Sequence, residues 1–302
     1  MATPLLSIII PVYNVEPYIA ECLSSAVAQS LDDDLYEILV VDDKSTDNSL
    51  AVCHDFAGRH SNIRIFALPE NTPGGAGIPS NIGIRNANGK YIGFVDSDDV
   101  AEPSMFAELT TLAEREQADL ALCSFMTEYL ADGSLYAPHD TLRWKRLFEP
   151  GFSSLSLLEQ KRLYLRIAPV PWRKLYRREF LVQNGILFPE GDFFYEDHPL
   201  HWFSIVQAER IAATDTMFIR HRQNRPGQTT AAAPGRASLA MVEHFRTIQN
   251  FLLAKGVYVD YKDTLFRLAG DVMNSIPEDD PLRDKVENML SEIWLSAEKH
   301  AG

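Results

Sequence analysis

A chain of 302 residues, 46% of them hydrophobic, is long enough to bury one large core with an appended part. Its formal net charge of −14 argues against a protein whose task is gripping nucleic-acid phosphates or anionic lipid through bulk positive charge, so any basic function must be local. Cys22, Cys53 and Cys123 lie scattered in apolar stretches without zinc-ligand or disulfide spacing, which suits a reducing compartment.

Leu5 to Val12 is short, apolar and without a basic lead-in, so it reads as a buried strand and not as a signal peptide. No apolar run approaches the ~20 residues that span a bilayer. Pro17 suits the first turn of a helix whose apolar positions are Ile19, Cys22, Leu23, Ala26 and Val27. Tyr36 to Val41 is a second strand. Ser45 or Thr46 is placed to cap the next helix, with Leu50, Cys53 and Phe56 or Ala57 as its stripe. Ile63 to Leu68 is a third strand, Ile78 to Asn88 a helix closed by Gly89, and Tyr91 to Val95 a fourth strand. Strands alternating with helices predict a parallel sheet with right-handed crossovers. Pro103 opens a helix with Phe106, Leu109 and Leu112 inward, Leu120 to Phe125 is a strand, and Asp132-Gly133 a hairpin turn. Leu142 to Pro169 predicts helical or irregular substrate-facing structure. His198 to Gln207 reads as a helix, Thr216 to Arg220 as a strand, and Ser238 to Ala301 as two or three amphipathic helices broken at Gly256 and Pro277 to Pro281.

In an open parallel sheet the ligand lies beyond the carboxyl ends of the strands. Here those ends are acidic: Asp42-Asp43 after the second strand, and Asp96, Asp98 and Asp99 after the fourth. Three carboxylates within four positions repel one another, and a divalent cation would relieve them. Oxygen ligands favour Mg²⁺ or Mn²⁺, which take further coordination from substrate phosphates. An isolated Asp-x-Asp-Asp is more often a solvated turn, but its place after a buried strand favours the metal.

Ser7-Ile-Ile-Ile-Pro-Val-Tyr-Asn14, Leu39-Val-Val-Asp-Asp-Lys-Ser-Thr-Asp47 and Gly93-Phe-Val-Asp-Ser-Asp-Asp99, in this order, resemble the opening of family 2 glycosyltransferases with the GT-A fold. The resemblance implies that Pro11 and Tyr13 flank a nucleobase, with core packing the alternative for Tyr13, and that Asp43, or else Asp42, accepts the imide N–H of uracil. Asp98 would hold the ribose or the metal, Asp99 would coordinate the metal bridging the diphosphate, and Asp96 would support them. The glycine-rich segment Pro73 to Gly77 and Ser80-Asn81 resembles one that commonly carries arginine where Ser80 stands. Arg85, one turn on, is the candidate replacement, with a plain surface arginine the alternative. Glu196-Asp197 resembles the family's acidic pair, with Asp197 the general base and helix-terminus stabilisation the plainer alternative. Pro171 to Tyr176 resembles a stretch preceding that pair, which makes Trp172 and Lys174 acceptor-side candidates, with simple anchoring the alternative for Trp172. The segment from His221 to Thr229 resembles one folding over the donor phosphates. It offers Arg222 or Arg225 as a diphosphate clamp, His221 as a metal ligand or a hydrogen-bonded structural group, and a lid around Gly227.

The resemblance therefore implies an α/β protein: a Rossmann-like nucleotide-sugar-binding part over 1–130, an acceptor and catalytic-base region over 131–237, and a C-terminal helical extension over 238–302. The implied reaction moves a hexosyl or N-acetylhexosaminyl group from a UDP-sugar, with Mn²⁺ or Mg²⁺, to a hydroxyl of a glycan or lipid-linked glycan with inversion. Bacterial polysaccharide assembly in the cytoplasm, at the inner face of the plasma membrane, is the implied setting, and no nucleic-acid partner is expected. The C-terminal helices are candidates to dock on the membrane or on a second copy, with burial against the catalytic part the expected alternative. A sugar nucleotidyltransferase is the second enzyme reading, disfavoured because no lysine-bearing glycine loop follows the first strand. A non-catalytic sugar-nucleotide or glycan-binding module is the third, disfavoured by Asp98, Asp99 and Asp197.

Overall fold

The computed structural model describes residues 3–192, 194–225 and 234–301. The first half follows the alternation read from the sequence: β1 (Leu6–Val12), α1 (Glu16–Val27), β2 (Tyr36–Asp42), α2 (Ser49–Arg59), β3 (Ile63–Ala67), α3 (Gly77–Asn86) and β4 (Tyr91–Phe94). The β-branched runs of β1 and β2 are buried along almost their whole length, as strands covered on both faces must be. β1 pairs in parallel with both β2 and β4, and β2 with β3.

Past β4 the order changes. A two-residue strand β5 (Val100–Ala101) leads into α4 (Met105–Glu116), β6 (Leu120–Tyr129), β7 (Ser134–Tyr136), α5 (Thr141–Lys145), α6 (Leu157–Tyr164), β8 (Lys174–Arg177), α7 (Arg178–Gln183), α8 (Asp197–Gln207) and β9 (Ile211–Gln223). The sheet runs β3-β2-β1-β4-β8-β6-β9-β5, with β7 paired to β6. It is mixed, not parallel throughout: β8 lies antiparallel between β4 and β6. The expected single strand at Thr216 to Arg220 is the middle of the longer β9, which follows β6 in parallel across an irregular register. The Asp132-Gly133 turn joins β6 to β7, with Gly133 at a φ of 69° that a glycine takes without a Cβ clash. The stretch from Leu142 to Pro169 is largely helical, and α6 begins with a capping box in which Ser156 and Glu159 satisfy each other's amides.

Three helices close the chain: α9 (Pro234–Ala254), α10 (Tyr258–Ser275) and α11 (Arg283–Ala301). Gly256, at a φ of 69°, turns α9 into α10. Phe245, Ile248, Leu252, Leu265, Val286 and Ile293 are buried in the same core as the sheet, so these helices spend their apolar faces inward. No described helix is long and apolar enough to cross a membrane.

Candidate active site

The carboxyl ends of β1 and β2 form the first wall. β1 turns at Asn14, whose φ is 49°. Asn14 Oδ1 accepts from the Thr46 amide at 2.7 Å, and its own amide donates to Ser45 Oγ at 3.1 Å. The amides of Val15 and Glu16 donate to Ser49 Oγ and Asp47 Oδ2. Ser45 and Thr46 are therefore spent on lacing two loops together, which is why α2 starts only at Ser49 and neither residue caps it. Tyr13 stands 46% exposed on this wall and Pro11 is half-buried.

Asp43 is buried and accepts from the Thr72 amide (2.8 Å), Thr72 Oγ1 (2.9 Å) and Asn71 Nδ2 (3.1 Å), which ties down the loop after β3. Burial and the Asp42 charge push its carboxyl up. Asp42 Oδ2 accepts from the Ser45 amide at 3.2 Å, and its Oδ1 is buried with no hydrogen-bond partner.

The second wall depends on the β5–β9 register. Val100 faces Arg220 and Ala101 faces Ile219, so the preceding Asp99 arrives beside His221. Asp99, fully buried, accepts from the Arg222 amide at 2.8 Å, and its other oxygen lies 2.9 Å from His221 Nδ1. Burial alone would lower His221, but the hydrogen bond and charge of Asp99, with Asp96 and Asp98 beyond, hold it up at about 9. Asp98 accepts from Arg225 Nε, and its carbonyl accepts from Arg222 Nη1 at 3.2 Å. Asp96 makes no side-chain hydrogen bond among the described residues. Burial and the charges of Asp99 and Asp98 raise it well above the usual carboxylate range. The crowding that suggested a divalent ion is thus balanced here by Arg225 and His221. Among the described residues no three His, Cys, Asp or Glu side chains gather closely enough to hold a metal. The donor types that converge, carboxylate oxygens with one imidazole, remain those of a Mn²⁺ or Mg²⁺ site.

The third wall is the start of α8. Tyr195 takes a φ of 68°, a strained corner that sets Glu196 and Asp197 at the helix entrance. Glu196 is packed into the glycine-rich loop: a Cβ on Gly75 would fall 2.5 Å from its Oε1, and one on Gly77 would fall 2.9 Å from its Cγ. The amides of Ala76 and Gly77, at the start of α3, favour its charged form, yet burial and the Asp197 charge prevail and raise it to about 7. Asp197 Oδ1 is buried without a hydrogen-bond partner. Its charge acts on Asp96, which brings the helix entrance within electrostatic reach of the second wall.

Several expected residues lie elsewhere. Trp172 is 1% exposed, stacked on His221 with ring centroids 5.0 Å apart, so it anchors that imidazole and offers no face to an acceptor sugar. Lys174 is fully buried and donates to the Pro169 (2.5 Å) and Val170 (2.8 Å) carbonyls, so it too is removed from the acceptor. Arg222 is held under the rim by Glu21 (2.5 Å) and Glu128 (3.4 Å), which takes it out of the diphosphate clamp. Arg85 pairs with Glu190 at 2.9 Å on the surface and does not replace the arginine missing at Ser80. Ser80 is buried in the first turns of α3. Gly227 lies outside the described residues. Sequence reasoning missed Thr72 beneath Asp43 and Glu21 beneath Arg222. Neither stands in a motif, and only tertiary pairing reveals them.

A family model described as glycosyl transferase family 2 matches residues 7–182. The chain is 36% identical over 222 residues to the uncharacterized glycosyltransferase EpsJ of Bacillus subtilis (strain 168), covering 73% of this chain and 62% of that protein. It is 30% identical over 228 residues to a poly(ribitol-phosphate) beta-glucosyltransferase of Bacillus spizizenii, covering 76% of this chain and 34% of that one. The chain thus spans less than two thirds of the length of either relative. Among solved structures it resembles S. aureus TarS 1-349 in complex with UDP-GlcNAc, with a TM-score of 0.64 and 22% identity over 98% of this chain and 90% of that one. It also resembles a mannosyltransferase from Pyrobaculum calidifontis in complex with GDP-Man and Mn²⁺, with a TM-score of 0.61 and 19% identity over 100% of this chain and 76% of that one. At these identities the structural likenesses speak to the fold.

Proposed function

The chain belongs to glycosyltransferase family 2 and has its GT-A fold, and from that premise we propose that it transfers a hexosyl or N-acetylhexosaminyl group from a UDP-sugar to a glycan hydroxyl with inversion. Tyr13 stacks on the uracil beside Pro11, and Asp43 accepts the imide N–H, using the lone-pair capacity that Thr72 and Asn71 leave on its Oδ1. Asp98 and Asp99, with His221 beside them, would hold Mn²⁺ or Mg²⁺, which would supply positive charge against the departing diphosphate. Arg225, paired with Asp98, is the cation to contact that diphosphate. Asp197 takes the proton of the acceptor hydroxyl as its oxygen attacks the anomeric carbon. The bond from that carbon to the diphosphate oxygen breaks, and UDP leaves with the electron pair. Glu196 positions the glycine loop and stays clear of the proton transfer.

The observation that carries this reading is the unpartnered, buried Oδ1 of Asp197, an acceptor-only group electrostatically linked to the acidic rim. The test is UDP release from a panel of UDP-sugars, with and without Mn²⁺, using a mixed glycan acceptor pool. Mn²⁺-dependent release that Asp197→Asn stops, while a donor-induced thermal shift persists, is the expected result. Normal turnover by that variant would sink the base assignment. Donor binding without release would leave only a binding module.

A further inference from the structure

The surface of the 141–167 segment is unlike the rest of this acidic chain. α5 and the turn at 146–148 bury Trp144 and Leu147 and leave Arg143, Lys145 and Arg146 exposed. Arg166 follows α6, and Arg267 comes in from α10. The Arg143 Nη1 donates to the Arg166 carbonyl at 3.2 Å, which brings two of these arginines into one patch. Burial lowers Arg166, and the charges of Arg143, Arg267 and Arg146 lower it further, so four guanidiniums share this space with Asp271 as the opposing carboxylate. Asp271 pairs with Arg143 at 3.2 Å across an exposed gap and is a weak counterweight. Large apolar side chains stand in the same segment: Leu142 is 81% exposed, Phe148 41% and Leu157 43%.

Mutually repelling arginines are costly unless an anion answers them, and exposed leucine and phenylalanine are costly unless an apolar phase does. A membrane surface with anionic headgroups supplies both within a few ångströms, whereas a soluble polyanion leaves the apolar side chains wet. We propose that the face formed by Leu142, Arg143, Arg146, Phe148, Leu157 and Arg267 docks on an anionic lipid surface. The face is built from α5, the turn after it, the start of α6 and α10. Beneath it Trp144 packs at 4.0 Å on the guanidinium of Arg173, next in the chain to the Trp172 that stacks on His221.

The test needs no donor, so it stands or falls apart from the transfer reaction. The full chain is sedimented with phosphatidylcholine vesicles with or without phosphatidylglycerol. Binding only to the anionic vesicles, weakening as salt rises, is expected. R146Q/R267Q should weaken it on the order of 30-fold, at about fivefold per arginine. Leu142→Asp should weaken it with an unchanged melting temperature. Equal sedimentation of the double variant, equal binding to neutral vesicles, or no sedimentation would overturn the proposal. Retention on polyphosphate as tight as on the anionic vesicles, with Leu142→Asp inert, would overturn it in favour of a soluble polyanion.

Discussion

Two glutamates at opposite ends of the sheet are buried to the same degree, Glu37 at 7% exposure and Glu196 at 8%, and titrate in opposite directions. Burial penalises both charges. At the amino end of β2, Glu37 accepts from Ser7 Oγ (2.7 Å), the Asn88 amide (2.7 Å), Asn88 Nδ2 (3.2 Å) and Arg64 Nη1 (2.7 Å), and these donors bring it below its ordinary value. At the carboxyl end, Glu196 has two loop amides and a neighbouring Asp197, and burial wins. The first arrangement is a satisfied joint that fastens the α3–β4 connection to β1 and β2. The second has fewer donors than its burial demands and stands beside a like charge.

The sharpest way to break the contrast is at Asp197. Asp197→Asn should lower turnover ~10²–10⁴-fold, the range of a lost general base, while leaving the urea midpoint nearly unchanged. At the other end, Glu37→Ala should spare turnover per folded molecule but cost about 2 kcal/mol in urea unfolding, because it orphans the buried Ser7 hydroxyl and the Asn88 amide. A third experiment uses pH. Glu196 has a folded-state value, about 7, above its ordinary 4.5, so its contribution to stability is full below 4.5 and is lost as pH rises through about 7. Glu37 lies below 4.5, so its contribution is present above that value and is lost as pH falls through the lowered one. Glu196→Gln should therefore remove a stability loss on the order of 2 kcal/mol between pH 5 and 8, read from melting curves in metal-free buffer. The smallest effect belongs to Arg85→Ala, a half-exposed pair with Glu190, which should cost less than about 1 kcal/mol and leave the donor KM within twofold.

What was legible in the sequence follows the distance over which each feature is built. β1 to β4 and their helices were readable because each carries its own local pattern, β-branched runs in the strands and apolar residues at helical spacing in the helices, and Asp42, Asp43, Asp96, Asp98 and Asp99 were found as strand-end neighbours. β8 was not readable. It is four residues long, lacks alternation, and is held between two strands whose partners of Leu175, Gly93 and Ala121, lie 82 and 54 residues earlier, so tertiary pairing overrides its weak propensity. The same limit hid the partners of the rim. Nothing near Arg222 foretells Glu21, 201 residues away, and nothing near Trp172 foretells that its open face would be taken by His221.

The two-residue pairing of β5 with β9 carries a consequence for biogenesis. Asp99 meets His221 from 122 positions further along the chain, so on the ribosome the acidic edge is made long before its counter-charges. Until β9 emerges, the carboxylates of Asp96, Asp98 and Asp99 lack the imidazole and guanidinium that face them in the finished fold, and solution cations are their counter-ions.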